Sequence, residues 1–502
     1  MKYLLLILPL LFFTKLGTAQ RTGLSGGEAV YFHKSGTLRT DGAISGYYII
    51  NYREPEEAPG YYVLQLLDQE LNEVGKKPLP QDENLRIGEV AYNGQLLAIE
   101  MIDHIRERKW IEVYDGQGEF QYRRQMTYSV FDLPQATGAT ALYGGKSLVA
   151  ADGGFLHFNL TTDGKRITSD SYYRVTYIPN DDTDRGWTTR SSSRIKESQG
   201  AVYLTSNDSV VVFGVFTMQG SKLSTKCTME VMAYGVHSGK KLFTYTPGEE
   251  ATQTRFIKGQ IVGDRLILVG TNVGKSSKLF TDHPEGVDVI KLSLDGKLLE
   301  KSSLSIADDL AAYFDVTNQG KVKGLGSLFI HDIGMTAGEE LVIAGEFYRV
   351  FNGDIQIEEG LLIQLTPTLD VATVKLVDKG RTGSMLDGGI LSLANAQISF
   401  ARGPLVAATG KVENKFDFAF LHEGAEVITT AYFIGRSEAR KNKHMSLLVN
   451  TLLDGELIED RLEFEAASDW VIVLPAKEGY LAVIEYSTSQ KSLDIHMERL
   501  RL

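Results

Sequence analysis

Past its first twenty residues the chain is a long succession of short apolar runs that alternate with polar positions at period two, broken by tight-turn dipeptides. Asp-Gly begins at Asp41, Asp115, Asp152, Asp163, Asp295, Asp387 and Asp454, and Asn-Gly at Asn93 and Asn352. Such pairs accept the positive backbone angles of type I′ hairpin turns. Helical periodicity is nearly absent, with residues 306–314 (IADDLAAYF) the one credible short helix. The chain therefore reads as all-β.

Two hairpin types recur. The first is an alternating strand, a polar turn and a second strand, as in YYVLQLLDQELNEVG from Tyr61, WIEVYDGQGEFQYRR from Trp110, VDVIKLSLDGKLLEK from Val287 and SLLVNTLLDGELIED from Ser446, with a weaker member from Phe416. The second has a more continuously apolar latter strand, as in YNGQLLAIEMI from Tyr92, SNDSVVVFGVF from Ser206, VGDRLILVGTN from Val262, ARGPLVAATGK from Ala401 and KEGYLAVIEYS from Lys477. Two hairpins make four antiparallel strands, and a four-stranded unit repeated along the chain is the signature of a β-propeller. The spacing favours seven blades, with six or eight as alternatives and tandem β-sandwiches as the other architecture; the continuously apolar strand belongs inside the blade. No low-complexity or Pro-rich linker divides residues 20–502, which read as a single propeller domain.

The opening MKYLLLILPLLFFTKLGTAQ has a positive start at Lys2, an apolar stretch of about eleven residues and a small-residue cleavage site at Gly17-Thr18-Ala19, the layout of a secretory signal peptide over residues 1–19. The stretch falls short of the roughly 20 residues a membrane span requires, and no later segment is longer, so no span is expected after cleavage. Cys227 is the only cysteine and lies far from the cleavage point. It can carry neither an N-terminal lipid nor an internal disulfide, and a buried, inert thiol is expected. The expected location is the periplasm or exterior of a Gram-negative cell. The net charge of −12 disfavours nucleic acid and anionic lipid as partners.

Several motifs invite a chemical reading and fail it. Gly270-Thr271-Asn272-Val273-Gly274-Lys275-Ser276-Ser277 is one residue short of a phosphate-binding loop and is followed by the turn-forming Thr281-Asp282-His283-Pro284 rather than a helix, so no nucleotide is expected. The nine histidines show neither His-x-His nor His-Glu-x-x-His spacing, and Gly-x-Ser-x-Gly does not occur, so no catalytic residue, metal site or cofactor is expected from the sequence. A metal site could only be assembled by the fold from separate blades. Asn180-Asp181-Asp182-Thr183-Asp184-Arg185-Gly186 has carboxylates at alternate positions, but its glycine falls one place late for a calcium loop.

That acidic stretch lies in a long segment, residues 177–199, that also carries aromatic and basic groups. Tyr177, Asp182, Asp184, Trp187 and Arg190 form the candidate binding set, because aromatics beside carboxylates and Arg can hold a sugar or a peptide. On that reading, replacing Trp187 with Ala weakens binding and leaves the melting temperature nearly unchanged.

The stretches GYYIINY from Gly46, YYVLQLLDQELNEVGKK from Tyr61, AYNGQLLAIEMID from Ala91 and IEVYDGQGEF from Ile111 resemble a family of uncharacterised exported β-propeller-like proteins from Bacteroidota, a domain of unknown function. The resemblance is strongest over residues 40–125. It implies an envelope or secreted location and a repeat fold, and no activity. The function expected is a non-enzymatic binding or scaffold protein whose loops on one propeller face hold an envelope protein, peptide or glycan. The alternative is a glycan-active hydrolase or lyase with carboxylates and tyrosines gathered at the central channel.

Overall fold

The structure, a computed structural model, describes residues 21–24, 29–55, 59–80, 84–129, 146–162, 171–191, 197–219, 227–248, 253–273, 284–317, 322–351, 354–380, 382–385, 416–424, 427–434, 445–453, 456–464, 470–487 and 489–501. The signal peptide over residues 1–19, the hairpin expected from Ala401 and residues 274–277 of the phosphate-loop look-alike lie outside them.

Eight antiparallel sheets follow one another along the chain. Blade 1 spans residues 29–78, blade 2 85–126, blade 3 148–190, blade 4 197–245, blade 5 253–305, blade 6 327–385, blade 7 418–464 and blade 8 470–499. In blades 1 to 7 the strands pair in chain order, and in blade 6 a fifth strand, Thr382–Met385, also pairs with the third. Blade 8 draws three strands from the C-terminal end, and its fourth is Arg21–Leu24, which pairs antiparallel with Ser492–Arg499. The ring is thus closed by the two ends of the chain. The count is eight, where the spacing of hairpins favoured seven. The fragments from Phe416 and Ser446, which read as two separate members of one hairpin type, are the first and second hairpins of blade 7.

The second strand of each blade is apolar on both faces because a neighbouring blade covers each face. In Arg265–Val273, Leu266 and Leu268 enter the core shared with blade 4, while Ile267 and Val269 enter the core shared with blade 6. In Val210–Gln219, Val210, Val212 and Phe216 face blade 5, and Val211, Phe213 and Val215 face blade 3. In Ala43–Glu54, Tyr47 and Ile49 pack on blade 8, and Tyr48 and Ile50 on blade 2. Fourth strands such as Glu73–Pro78, with no buried residue, form the polar rim. Residues 306–313 form consecutive turns rather than a helix, anchored where Ser305 O accepts from the Asp309 and Leu310 amides, with Ile306 and Leu310 buried. A segment this short gains too few hydrogen bonds to repay helix nucleation.

Two blade interfaces carry buried ion networks. Between blades 6 and 7, Lys379 Nζ lies 3.0 Å from Glu346 Oε1 and 2.7 Å from Asp417 Oδ2, and His331 Nε2 lies 2.7 Å from Glu346 Oε2. Between blades 2 and 3, Glu100 meets Lys109 at 2.8 Å and His157 at 3.0 Å and accepts from Ser147 Oγ. Burial alone would raise the Glu346 pKa, but the Lys379 charge and His331 outweigh it and hold the carboxyl below its ordinary value. A group so depressed adds stability that is present above about pH 4.5, its ordinary value, and is lost as the pH falls through the folded-state value. Replacing Lys379 with Met leaves the carboxylates of Glu346 and Asp417 buried without their cation, and should cost about 3–5 kcal/mol of stability at neutral pH by denaturant titration. A loss under about 1 kcal/mol would show that the ion pair contributes little.

Candidate functional site at the central channel

The first strands of neighbouring blades touch one another along most of the ring and so border the central channel. In six of the eight blades the first strand slips register against the second: at Phe32/Lys34, Ile87/Val90, Tyr203/Thr205, Phe256/Lys258, Ile330/Asp332 and Phe418/Phe420. A bulge inserts an extra residue and re-aims the side chains beside it. Here the bulges coincide with charged groups: Lys34, Glu89, Lys258 and Asp332 all flank one.

Contacts between blades that are not neighbours can only cross the channel, and two pairs among the described residues do. Arg39 Nη2 of blade 1 meets His422 Nδ1 of blade 7 at 2.9 Å. Gln260 Nε2 of blade 5 donates to Glu423 Oε1 of blade 7 at 3.0 Å. Neighbouring blades add Lys34 to Glu89 at 3.0 Å and Lys258 to Asp332 at 3.0 Å. Lys146, just before blade 3, feels the charges of Lys258, Glu89, Lys34 and Asp332 together, which places it in the same lumen. It is open to water yet surrounded by protein, the condition of a side chain inside a channel.

This setting shifts the protonation equilibria. Burial, joined by the Arg39 charge, pushes His422 down to about 4, so it is neutral at pH 7. Burial pushes the Glu423 carboxyl up despite its hydrogen bonds from the Met335 amide and Gln260. Burial and the Lys258 charge lower Lys146, whereas Lys258, which burial alone would lower, is raised by Asp332. Among the described residues, these lumen groups comprise four cations, Lys34, Arg39, Lys146 and Lys258, against three carboxylates, Glu89, Asp332 and Glu423.

At the face where the first-to-second strand hairpins turn, the channel opens beside a cavity of about 660 Å³ between blades 7, 8 and 1. Its wall includes Arg39, Asp41, His422, Glu423, Thr429, Lys477, Glu478 and Tyr480, with three carboxylates against two cations. The Lys477 ammonium sits 5.3 Å from the centre of the Tyr480 ring. The charged and hydrogen-bonding groups of this wall suit recognition. The Glu423 carboxylate and the His422 ring nitrogen are committed to Met335, Gln260 and Arg39, and among the described residues no hydroxyl or thiol is hydrogen-bonded to a channel histidine.

The set chosen from sequence lies elsewhere, at the hairpin joining the third and fourth strands of blade 3. Tyr177 is buried in the third strand, Ser171–Pro179, and Trp187 opens the fourth, Trp187–Arg190. The expected loop is therefore a hairpin. Tyr177 and Trp187 do come together, stacked at 6.0 Å and 15°. The indole also stacks on Tyr234 of blade 4 at 6.1 Å and donates its N–H to Val236 O. Gly239 permits this approach, since a Cβ there would meet the indole at 2.5 Å, and its φ is +61°. Asp182 and Asp184 sit at the exposed turn, where Arg124 of blade 2 donates to the carbonyls of Asp184 and Arg185 and lies 3.5 Å from Asp182. Asp184 Oδ1 accepts from the Gly186 amide, so the carboxylate serves its own turn. Arg190 is exposed at the far end of its strand, opposite Arg174.

Beside this hairpin, sequence reading missed His237 and Asp152. His237 Nε2 lies 3.0 Å from Asp152 Oδ2, and its Nδ1 lies 3.3 Å from the Tyr177 hydroxyl. Burial, with the Asp152 charge, pushes Tyr177 up to about 12, so the phenol is no nucleophile and the trio latches blade 3 to blade 4. Cys227 opens a strand of blade 4.

Over residues 1–501 the sequence matches the family described as Family of unknown function (DUF6770). The chain belongs to it. No curated protein matches. Among solved structures, the WD40 domain of SCAP from fission yeast is similar at 9% identity and a TM-score of 0.41, covering 95% of this chain and 98% of that one. The β-propeller domain of the Trilobed protease from Pyrococcus furiosus, described as having an open velcro topology, is similar at 9% identity and a TM-score of 0.39, covering 86% and 95%. Prolyl oligopeptidase B from Galerina marginata is similar at 9% identity and a TM-score of 0.38, covering 92% of this chain and 56% of that one. Nothing about activity follows from likenesses of this strength. The family is a β-propeller family in this member, and among the described residues no helix is long and apolar enough to cross a membrane.

Trp187 carries packing contacts, so its replacement is expected to have a structural cost. Trp187→Ala removes two stacked contacts and leaves Val236 O without its donor, so it should lower stability by roughly 3 kcal/mol in denaturant titration. An unchanged midpoint would show that these contacts contribute little to stability.

Proposed function

We propose that this protein is an exported, non-enzymatic binding protein that holds an acidic segment of a peptide or protein partner in its central channel. The observation that carries the reading is the cationic excess of the lumen within a chain whose net charge is −12. A cleft with low-dielectric walls focuses its own field, so local charge rather than net charge selects what enters. Lys34 and Lys258 are paired across blades, and Arg39 and Lys146 stand nearest a further anion. Arg39 forms part of the cavity wall, where Thr429 and His422 supply hydrogen-bonding groups for a backbone; Lys477 there lies 3.6 Å from Glu70 and is matched by Asp41 and Glu478, so the attraction for an anion lies in the lumen behind the wall. The hydrolase reading required carboxylates free to act as acid and base, whereas Glu423 is engaged by Gln260 and the Met335 amide.

The test is fluorescence anisotropy with the full chain and a labelled oligoglutamate peptide. Binding should saturate and weaken as salt rises, and the double variant Arg39→Ala, Lys146→Ala should lose at least about tenfold in affinity, one decade being about 1.4 kcal/mol. Equal binding of a neutral peptide, or an unaffected double variant, would overturn the reading. A uronic-acid oligosaccharide that binds where oligoglutamate does not would move the assignment to glycans.

Export is proposed on the leader alone. Expression with its own leader in a Gram-negative host should deliver the chain to the periplasmic fraction with Gln20 as its first residue by N-terminal sequencing. A full-length chain retained in the cytoplasm would defeat it.

A further inference from the structure

The third strand of blade 7, Met445–Leu453, sends successive residues toward opposite blades. Leu447 and Val449 enter the core shared with blade 8, while Leu448 and Leu452 face blade 6. Between those two leucines, on the same face, stands Asn450, opposite Thr430 on the second strand and Glu459 on the fourth. A carboxamide thus interrupts an apolar row. Asn450 is 1% exposed, and neither its Oδ1 nor its Nδ2 has a hydrogen-bond partner among the described residues. Because both ends of the amide lack one, exchanging the two atoms repairs nothing.

The residue borders a cavity of about 40 Å³ between blades 6 and 7. Val342, Leu362, Ile428 and Leu452 form its apolar walls. Its other polar side chains are engaged or exposed. Gln364 donates to Glu340 at 2.8 Å, the Thr430 hydroxyl donates to the Asn450 carbonyl at 3.5 Å, and Thr373 is exposed. At the rim, beside the half-buried Leu457, Lys375 lies 3.5 Å from Glu459 of blade 7, so the charges at the mouth answer each other. The space suits a few water-sized groups, which is one small polar head with a short stem.

We propose that this interblade cavity is a binding site for a primary carboxamide, the group that ends a glutamine or asparagine side chain or a short aliphatic amide. Asn450 requires an acceptor and a donor side by side. A carboxylate supplies only acceptors and an ammonium only donors. A second primary carboxamide supplies both, at the spacing of the Asn450 oxygen and nitrogen themselves, and closes two N–H···O bonds. The terminal torsion of an asparagine is broad, so the amide plane can turn to meet the entering group. The apolar walls take the aliphatic stem, and the balanced mouth favours a neutral group over an ion, whose desolvation would go uncompensated.

The experiment uses the full chain and propionamide, the glutamine side chain on its own, followed by saturation-transfer NMR. Saturable binding in roughly the millimolar range is expected of so small a ligand. Propionate and N,N-dimethylpropionamide, which lack the N–H donors, should bind at least about tenfold more weakly. Asn450→Leu should abolish binding and leave the melting temperature unchanged or higher, because an apolar group replaces an unpaired polar one. If Asn450→Leu fails to fold, Leu457→Trp, which plugs the cavity from its rim, must abolish binding instead. A peptide, acetyl-Gly-Gln-Gly N-methylamide, separates the two sources of the group. Displacement of propionamide by it assigns the site to a partner's glutamine, and propionamide binding without displacement assigns it to a free small amide. No saturable propionamide binding, equal binding of either analogue, or binding that survives the deciding variant would each overturn the proposal. None of these results depends on the oligoglutamate measurement, which reads charge in the lumen, since propionamide carries none.

Discussion

A four-stranded sheet with two apolar faces holds together in water only if each face is covered, and every blade of this protein has such a sheet at its heart. The middle strands send successive residues to opposite sides, as Ile267 and Leu268 do in blade 5, and each side meets the next blade around the ring. No blade has an uncovered apolar face until the last one meets the first. That meeting is made twice. Tyr47 and Ile49 of blade 1 pack against Ala482, Ile484 and Ile495 of blade 8, and Arg21–Leu24 supplies the strand that blade 8 lacks. The closing strand satisfies the backbone of Ser492–Arg499, which would otherwise be an open sheet edge.

Interfaces in such a ring need not be alike, and the two with modest apolar cores have a different adhesive. At blades 2 and 3 the inward residues of the second strand run Ala98 then Glu100, and at blades 6 and 7 Ala344 then Glu346. In both, the small Ala leaves space and the Glu fills it with a carboxylate that reaches a buried Lys and His. Such networks add little net energy over an apolar core, but they tolerate few alternative partners.

The fold class was legible because both of its signals are local. Hairpins declare themselves in Asp41-Gly42, Asn93-Gly94 and Asp295-Gly296, and the doubly covered middle strands in runs such as RLILVG from Arg265. The count of eight was not, because one blade is completed across nearly the whole chain and nothing near Arg21 names its partner Ser492–Arg499. Tyr177 and Trp187 are not far from Tyr234 and His237 in sequence, but their stacking and latch contacts across blades 3 and 4 depend on blade packing that residue type alone does not declare. The channel set was invisible for a different reason. Lys34, Lys146, Lys258, Asp332 and Glu423 are scattered over almost 400 residues of an ordinary charged sequence, and only ring closure brings them to one lumen. Their signal, had it been sought, was a charged residue interrupting the alternation of a first strand, which is where the bulges fall.

The bulges explain how a stable ring can carry an unfavourable interior. A charge set among covered faces needs a buried partner, as Lys379 has, and leaves little for a ligand. A bulge in the innermost strand moves the charge off those faces into a wet lumen, where Lys146 keeps its water and can exchange it for a bound anion. The apolar layers behind it, from Leu266 to Val289, are untouched by what the lumen displays. Stability and recognition thus occupy different strands of the same blade, so the first strands can change their charges with little effect on the ring that positions them.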